Sequence, residues 1–461
     1  MSPGDPDRTR PPAPGPVRSH RFPEIHQRTV GALRILISPR HELPLIGLRL
    51  VSSAGADHDP EEMPGLAGFV GAMLEEGTAR RGSTELAQAV EDVGAQLASR
   101  AEWNSTGISF GALARHLDLG VELLAEIALQ PAFAPREVER IRGLRLGELR
   151  RRASEPAYLA ARALARALFG RHTYGAPLLG TEAGLRAVGP GECRSWWERH
   201  RGARPALIAV GDLDPAAVIE AVTARFGGLH GGGSPAPLDT VEANPPRTEV
   251  HLVDRPQAAQ TELRLGQLGL PRDDPQRPAL VLLNSVLGGK FTSRINLNLR
   301  ERHGFTYGAS SRQIDRLGRG PWVIQAAVDT EVAGRATEEV IAELQRIRAE
   351  PVPAAELEES RSYLLGVIPY TLQTLRGLAA RLDEIALFGL PLDYFERFPE
   401  RLRAVTAEDL LEAARRLIAP ERLVITAAGP AARLEPQLAA FGPVSVHRPS
   451  AQPPPAGSDA A

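Results

Sequence analysis

The chain repeats one pattern of helix, strand and glycine turn at the end of each half, and this repeat constrains the fold more than any other feature. In the first half, Leu185–Val188 begins a helical stretch that leads to the apolar run Ala206–Val210. In the second half, Leu402–Val405 begins a helical stretch that leads to Leu423–Ala427. Two copies of one unit indicate a duplicated domain rather than a solenoid.

A stretch rich in glycine and proline separates the halves. Residues 227–247 offer little that could pack into a core, so we predict an interdomain linker there. A chain of 461 residues is long enough for two domains of about 200 residues each. The predicted organisation is a disordered lead over 1–21, a first domain over 22–226, this linker, a second domain over 248–440 and a disordered tail over 441–461.

Hydrophobic patterning predicts both strands and helices in each half. Strand candidates are Leu33–Ile37, Leu45–Val51, Thr106–Phe110, Glu249–Val253, Glu262–Leu268 and Trp322–Val328. Helical candidates, with apolar residues at a spacing of about 3.6, are Thr84–Val93, Leu117–Leu129, Arg136–Arg152, Tyr158–Phe169, Thr337–Ile347 and Ala354–Val367. Paired strands and long helical blocks predict an α+β fold, with a mainly antiparallel sheet in each domain and helices on one face.

Composition argues against several classes of partner and site. The net charge of −2 disfavours nucleic acid, because phosphate binding needs a cationic excess. The single cysteine, Cys193, excludes an internal disulfide and a cysteine-rich zinc site. No run approaches the roughly 20 apolar residues that span a bilayer, and the first residues lack the apolar core of a secretory signal. We therefore expect no membrane span and a cytoplasmic location.

The segment from Pro64 to Thr78, PGLAGFVGAMLEEGT, is the most informative for function. It resembles the active-site helix of the pitrilysin/insulinase family, the inverted zincins, in which His-x-x-Glu-His stands between a Gly-Leu-Ala start and a Met-Leu, Gly-Thr close. The frame is kept, but Gly68, Gly71 and Ala72 occupy the motif positions. Glycine and alanine can neither bind zinc nor take a proton from zinc-bound water. We therefore expect no cofactor in this chain and zinc only in a partner subunit.

The same resemblance implies a third zinc ligand, a glutamate on a later helix, and Glu148 stands at about the right distance. Arg145 at i−3 and Arg152 at i+4 can pair with this carboxylate on one helical face. We interpret Glu148 as a relic of the ligand, held in a surface ion pair. No two of the eleven histidines lie three or four residues apart, so no helix presents a histidine pair.

A second segment, from Leu287 to Ser311, resembles the signature of the family's C-terminal domain, with a glycine-rich turn, a Leu-Arg-Glu helix and a Gly-x-x-Tyr strand start. The resemblance implies that Arg300 and Tyr307 reach across a cavity towards the substrate backbone and the developing oxyanion. Guanidinium and phenol groups are donors suited to that task. Gly288 and Gly289 would let a peptide backbone approach closely. Taken alone, Arg300 could equally belong to a solvated helix face, and Tyr307 to the edge of a core.

These features predict a catalytically incomplete member of the family that is inactive as a single chain. It would be the non-catalytic subunit of a heterodimer or larger complex, binding extended peptides for a zinc-bearing partner chain. The peptide would add as a strand to a sheet edge near Thr106–Phe110. The alternative is a structural or peptide-binding scaffold with no proteolytic role. A third possibility, an enzyme acting alone, needs a nucleophile activated without zinc, and the sequence offers no candidate pair.

Overall fold

The computed structural model describes residues 21–232 and 244–448. Nearly all of the predicted lead, residues 233–243 of the predicted linker, and residues 449–461 of the predicted tail lie outside the described residues. Two six-stranded sheets, one in each half, form the framework of the molecule. Within the described part of the chain, no helix combines the length and the apolar character needed to cross a membrane.

The sheet of the first half is mainly antiparallel. Its strands are β1 (His26–Val30), β2 (Leu33–Pro39), β3 (Leu45–Ser52), β4 (Gln96–Ala101), β5 (Thr106–Leu113) and β6 (Ala206–Gly211). They lie in the order β1-β2-β6-β3-β5-β4. The pair β2 and β6 is parallel, whereas the other neighbours run antiparallel. Strand β4 is therefore an edge, and β5 lies inside the sheet.

The sheet of the second half repeats this arrangement. Its strands are β7 (Glu249–Asp254), β8 (Thr261–Leu268), β9 (Thr306–Gln313), β10 (Pro321–Val328), β11 (Val424–Gly429) and β12 (Val444–His447). Their order is β12-β7-β11-β8-β10-β9, and β7 pairs in parallel with β11 as β2 does with β6. Strand β12 lies within residues 441–461, which were predicted to be disordered. This part of the predicted tail is ordered because parallel pairing with β7 gives the short exposed segment backbone partners.

Helices fill the rest of both halves. In the first half they are α1 (Leu66–Met73), α2 (Ser83–Glu91), α3 (Leu117–Leu129), α4 (Pro135–Ala153), α5 (Pro156–Phe169), α6 (Glu182–Ala187), α7 (Pro190–His200) and α8 (Pro215–Phe226). In the second half they are α9 (Arg277–Asn284), α10 (Arg294–Asn296), α11 (Ala333–Ala349), α12 (Ala354–Thr371), α13 (Leu375–Phe388), α14 (Tyr394–Ala404), α15 (Ala407–Leu417) and α16 (Ala431–Leu438). Helices α9 and α10 continue as π-helical turns over Ser285–Gly289 and Leu297–Arg302. The predicted α+β fold of two duplicated domains is confirmed.

Each sheet also packs against a helix of the opposite half. Strand β6 is buried along its whole length, because Leu207 and Ala209 face the helices of the first half while Ile208 faces α13 of the second. Helix α5 of the first half lies on β8 and β11 in the same way, and its Leu164 packs with Val424. The first sheet has helices of its own half on one face, as predicted, and its other face is covered by α13 of the second half, since a strand buried on both faces needs cover on both.

A polar contact fixes the two halves beside the cavity described below. The side-chain oxygen of Asn104 accepts the backbone N–H of Leu317 across the domain boundary at 3.0 Å. Its amide nitrogen lies 2.7 Å from both Asp57 and the Tyr174 hydroxyl. The Arg316 guanidinium lies over the Tyr174 ring, 5.7 Å from its centre. Buried polar groups with several partners hold one arrangement of the loops that carry them.

Candidate functional site

Helix α1 carries the altered motif, and Asp59 fixes its first turn. Gly65 precedes the helix at a φ of 96°, a conformation that favours glycine. The two carboxylate oxygens of Asp59 accept the backbone N–H groups of Gly65 and Ala67, each at 2.7 Å. These bonds satisfy donors that a helix start leaves free. Burial raises the pKa of the Asp59 carboxyl to about 7.

An arginine fills the space beside the first motif position. A Cβ atom added to Gly68 would lie 2.6 Å from Nη2 of Arg145, which belongs to α4. Burial lowers the pKa of the Arg145 guanidinium, while attraction to Asp59 and Glu148 acts in the opposite direction. Its Nε is buried without a hydrogen-bond partner among the described residues. A cation therefore stands where the resemblance implies a metal-binding histidine.

The glutamate position of the motif is occupied by a close helix–strand crossing. A Cβ atom on Gly71 would lie 2.7 Å from the backbone nitrogen of Ala101 in β4. The Ser99 hydroxyl donates to the carbonyl oxygen of Gly71 at 2.5 Å, which ties β4 to α1 at this point. Ala72, at the last motif position, faces the cavity next to the helix. Glycine is thus required at position 71 by packing.

Substituting alanine for Gly71 is expected to lower the free energy of unfolding by about 1–3 kcal/mol, because the new methyl group meets backbone rather than a movable side chain. Urea denaturation followed by circular dichroism measures this change. Gly143→Ala on the exposed face of α4 is the matched control, because nothing lies within 4 Å of its Cβ position. The free energy of unfolding of that control variant should rise by roughly 0.5–1 kcal/mol. Equal effects of the two substitutions would contradict the packing argument.

Glu148 forms the ion pair predicted for it, with one change of partner. Arg151 binds its two oxygens at 2.6 and 2.8 Å, and Arg152 binds at 2.8 Å. These hydrogen bonds lower the pKa of the Glu148 carboxyl to about 2. The predicted partner Arg145 is replaced by Arg151, because the Arg145 guanidinium lies against Gly68 instead.

A cavity of about 540 Å³ opens beside these residues, between the two halves. Elements α1, β4, α4 and α5 line it from the first half, and β8, β9 and β10 from the second. Its charged lining, among the described residues, is Glu148 with Arg100, Arg145, Arg152, Arg162, Arg264, Arg312 and Arg316. Apart from Arg145 and Arg152, sequence reasoning did not mark these arginines, because they come from separate segments that meet only in the folded chain.

Arg300 and Tyr307 lie elsewhere, on an exposed surface of the second half. Tyr307 is the second residue of the edge strand β9 and is 90% exposed. The Arg300 guanidinium lies over the ring of Phe291, 4.6 Å from its centre, and Phe291 is itself 62% exposed. Neither Arg300 nor Tyr307 is among the described residues that line the cavity. Their predicted role in binding substrate stays a prediction.

The paired glycines of the second signature pack against their own chain. A Cβ atom on Gly288 would lie 2.5 Å from the backbone nitrogen of Ser311 in β9. One on Gly289 would lie 2.8 Å from the side-chain nitrogen of Asn284. The absence of side chains therefore lets this π-helical turn pack closely against β9 at Gly288 and against the end of α9 at Gly289. A further role in substrate binding stays a prediction.

Comparisons with known proteins agree with this architecture. A family model described as Insulinase (Peptidase family M16) matches residues 37–182, and one described as Peptidase M16 inactive domain matches residues 194–364. An uncharacterized zinc protease of Bacillus subtilis is 22% identical over 84% of this chain and 93% of its own length. One of Mycobacterium tuberculosis is 26% identical over 79% of this chain and 84% of its own length.

Solved structures share the two-sheet fold. A structure named as the peptidase M16 inactive domain from Pseudomonas fluorescens has a TM-score of 0.82 and 26% identity, covering 88% of this chain and 98% of its own. A protease from Helicobacter pylori has a TM-score of 0.82 and 15% identity, covering 88% of this chain and 99% of its own.

The relatives correct one expectation. We expected no cofactor in this chain and zinc only in a partner subunit, and the relatives contradict this because they are named zinc proteases. The residues at the motif positions of this chain nevertheless do not fit a zinc ion, since Gly68, Gly71 and Ala72 offer no side-chain ligand and Arg145 adds a positive charge. Within residues 21–232 and 244–448, no group of three or more His, Cys, Asp or Glu side chains could hold a metal ion.

The two family models together match most of the chain, and both describe the same family. The duplicated sheets and the frame around α1 agree with that match. The chain therefore belongs to the insulinase peptidase family, M16.

Proposed function

We propose that this chain is a peptide-binding, non-catalytic subunit that works beside a second family member carrying His-x-x-Glu-His. One observation carries the proposal: the motif positions hold Gly68, Gly71 and Ala72, whereas the exposed Tyr307 and the half-buried Arg300 are kept at a separate place outside the cavity. Because neither side chain lines the cavity beside the altered motif, both are available to a neighbouring chain.

The chemistry of that exposed surface suits a protein interface. Tyr307 and Phe291 present large aromatic rings to solvent, and the Arg300 guanidinium stacks on Phe291. Tyrosine and arginine are enriched among the residues that dominate binding energy at interfaces. Because Tyr307 lies near the start of the edge strand β9 and is exposed, its hydroxyl can reach a partner without any change in the sheet. A catalytic chain seated here would receive two extra hydrogen-bond donors.

The peptide itself is proposed to lie along β4. The expected edge near Thr106–Phe110 corresponds to β5, which lies between β3 and β4, so the available edge is β4. Residues Ser99 to Ala101 of β4 line the cavity, and an added strand would therefore run into it. The backbone N–H of Ser99 donates to the Glu75 carboxylate, so an added strand competes with Glu75 there.

The test mixes this chain with a family member from the same organism that carries the intact motif. Sedimentation velocity should give a complex of both chains, and an unstructured peptide should be cleaved faster by the mixture than by either chain alone. Fluorescence anisotropy of a labelled peptide measures binding to this chain. A complex without peptide binding or faster cleavage would favour the structural scaffold instead, and the absence of both complex and binding would refute the proposal.

A further inference from the structure

We infer that the cavity binds an acidic peptide segment, with Arg145 beside the altered motif as an anchor for its carboxylates. This inference rests on the proposed peptide-binding function and names the substrate class of that site.

The first support is the charge of the cavity wall. Seven arginines and one glutamate line it, and the carboxylate of Glu148 is already bound by two guanidinium groups. Five of the seven arginines form no ion pair with a described carboxylate; they are Arg145, Arg162, Arg264, Arg312 and Arg316. Like charges gathered in one cleft repel each other and concentrate anions from solution. An anionic ligand would relieve that repulsion.

The second support is a set of buried donors without partners. The Nε atoms of Arg145 and Arg264 and the Tyr158 hydroxyl are buried and lack hydrogen-bond partners among the described residues. All three side chains line this cavity. Unpaired buried donors are uncommon in folded proteins, and each calls for an acceptor. Carboxylates supply such acceptors and can bind a guanidinium group through two parallel bonds.

The shape and the remaining lining favour a peptide over a free ion. A volume of about 540 Å³ falls within the range of sites for extended organic ligands. Leu164, Phe169 and Ile314 add apolar wall that a small inorganic anion would not use. Residues Ser99 to Ala101 of the edge strand β4 line the same space, so a peptide that displaced Glu75 from the Ser99 N–H could pair with this strand.

The experiment compares three labelled peptides of one length, rich in glutamate, glutamine or lysine, by fluorescence anisotropy. The glutamate peptide should bind at least about tenfold more tightly than its glutamine analogue, and the difference should shrink as salt screens the charges. Arg145→Gln and Arg312→Gln should each weaken binding of the glutamate peptide about tenfold while leaving the glutamine peptide unchanged. Arg136→Gln, an exposed position on α4 outside the cavity, should change neither.

The outcomes separate this inference from the proposed function. Equal binding of the three peptides would overturn the inference and leave peptide binding intact, whereas no binding of any peptide would refute the proposed function. Inorganic phosphate that competes as strongly as the glutamate peptide would assign the cavity to small oxyanions and overturn the peptide class. Circular dichroism checks that Arg145→Gln is folded. Arg312 is exposed on β9, so its variant keeps the test decisive if Arg145→Gln fails to fold.

Discussion

Replacing Arg300 by alanine, or Tyr307 by phenylalanine, is expected to lower kcat for peptide cleavage by the proposed two-chain complex about 10²–10³-fold. Tyr307 is 90% exposed and Arg300 is half-buried beside Phe291 and Glu301, so a carbonyl oxygen held by the partner can reach a donor of each side chain. Their bonds would strengthen as negative charge develops on that oxygen, and such a loss appears in kcat rather than in KM. Steady-state cleavage of one fluorogenic peptide at saturating concentrations of both chains measures it.

Two substitutions at other exposed positions of the second half serve as controls for this result. Arg302→Ala removes an exposed arginine from the same π-helical turn, and Tyr370→Phe removes the hydroxyl of a tyrosine that is 71% exposed. Neither should change kcat. Unchanged turnover in the Arg300 and Tyr307 variants, with the complex still formed, would remove the role assigned to this pair.

Substituting alanine for Leu382 is expected to lower the free energy of unfolding by about 2–5 kcal/mol. Leu382 belongs to α13 of the second half, yet it is fully buried against the sheet of the first half, beside Leu36 and Ile208. Removing its isobutyl group loses apolar burial and leaves a cavity that rigid strands on one side cannot fill. Urea denaturation monitored by circular dichroism gives the change.

The matched control is Leu144→Ala, because Leu144 on α4 is 59% exposed. This surface change should stay within about 0.5 kcal/mol. Both variants should unfold in one transition, since α5 and α13 join the two cores. A cost for Leu382→Ala as small as the control's would contradict the account of α13 as part of the first core.

Interior strands could be predicted from the sequence, and edge strands largely could not. The apolar runs Ala206–Val210 and Leu423–Ala427 correspond closely to β6 and β11, which are buried along their whole length. Strands β1, β4 and β12 were missed because edge strands keep exposed polar residues and lack a strong hydrophobic pattern. The exchange of α5 and α13 was missed for another reason: an apolar strand face does not specify which helix covers it.

The site was predictable where its residues lie close together in sequence. The altered motif and the pair of Arg300 and Tyr307 could be located because each lies within one continuous signature. The arginine wall of the cavity could not, because Arg145, Arg264 and Arg316 approach one another only after both halves have packed. For the same reason the sequence named the wrong arginine as a partner of Glu148. The Arg145 side chain lies against Gly68 in the folded chain, and Arg151 binds Glu148 instead.

The packing of α13 on the first sheet and of α5 on the second restricts how the two halves can move relative to each other. A hinge motion that separated the two halves would break the contacts of α13 with the first sheet and of α5 with the second. Exposing Leu378, Leu382 and Ile385 alone would cost about 1.5–3 kcal/mol for each side chain. A ligand therefore has to enter the cavity while the two halves stay packed together. Side-chain movements or a neighbouring chain, rather than domain opening, would then control access to the cavity.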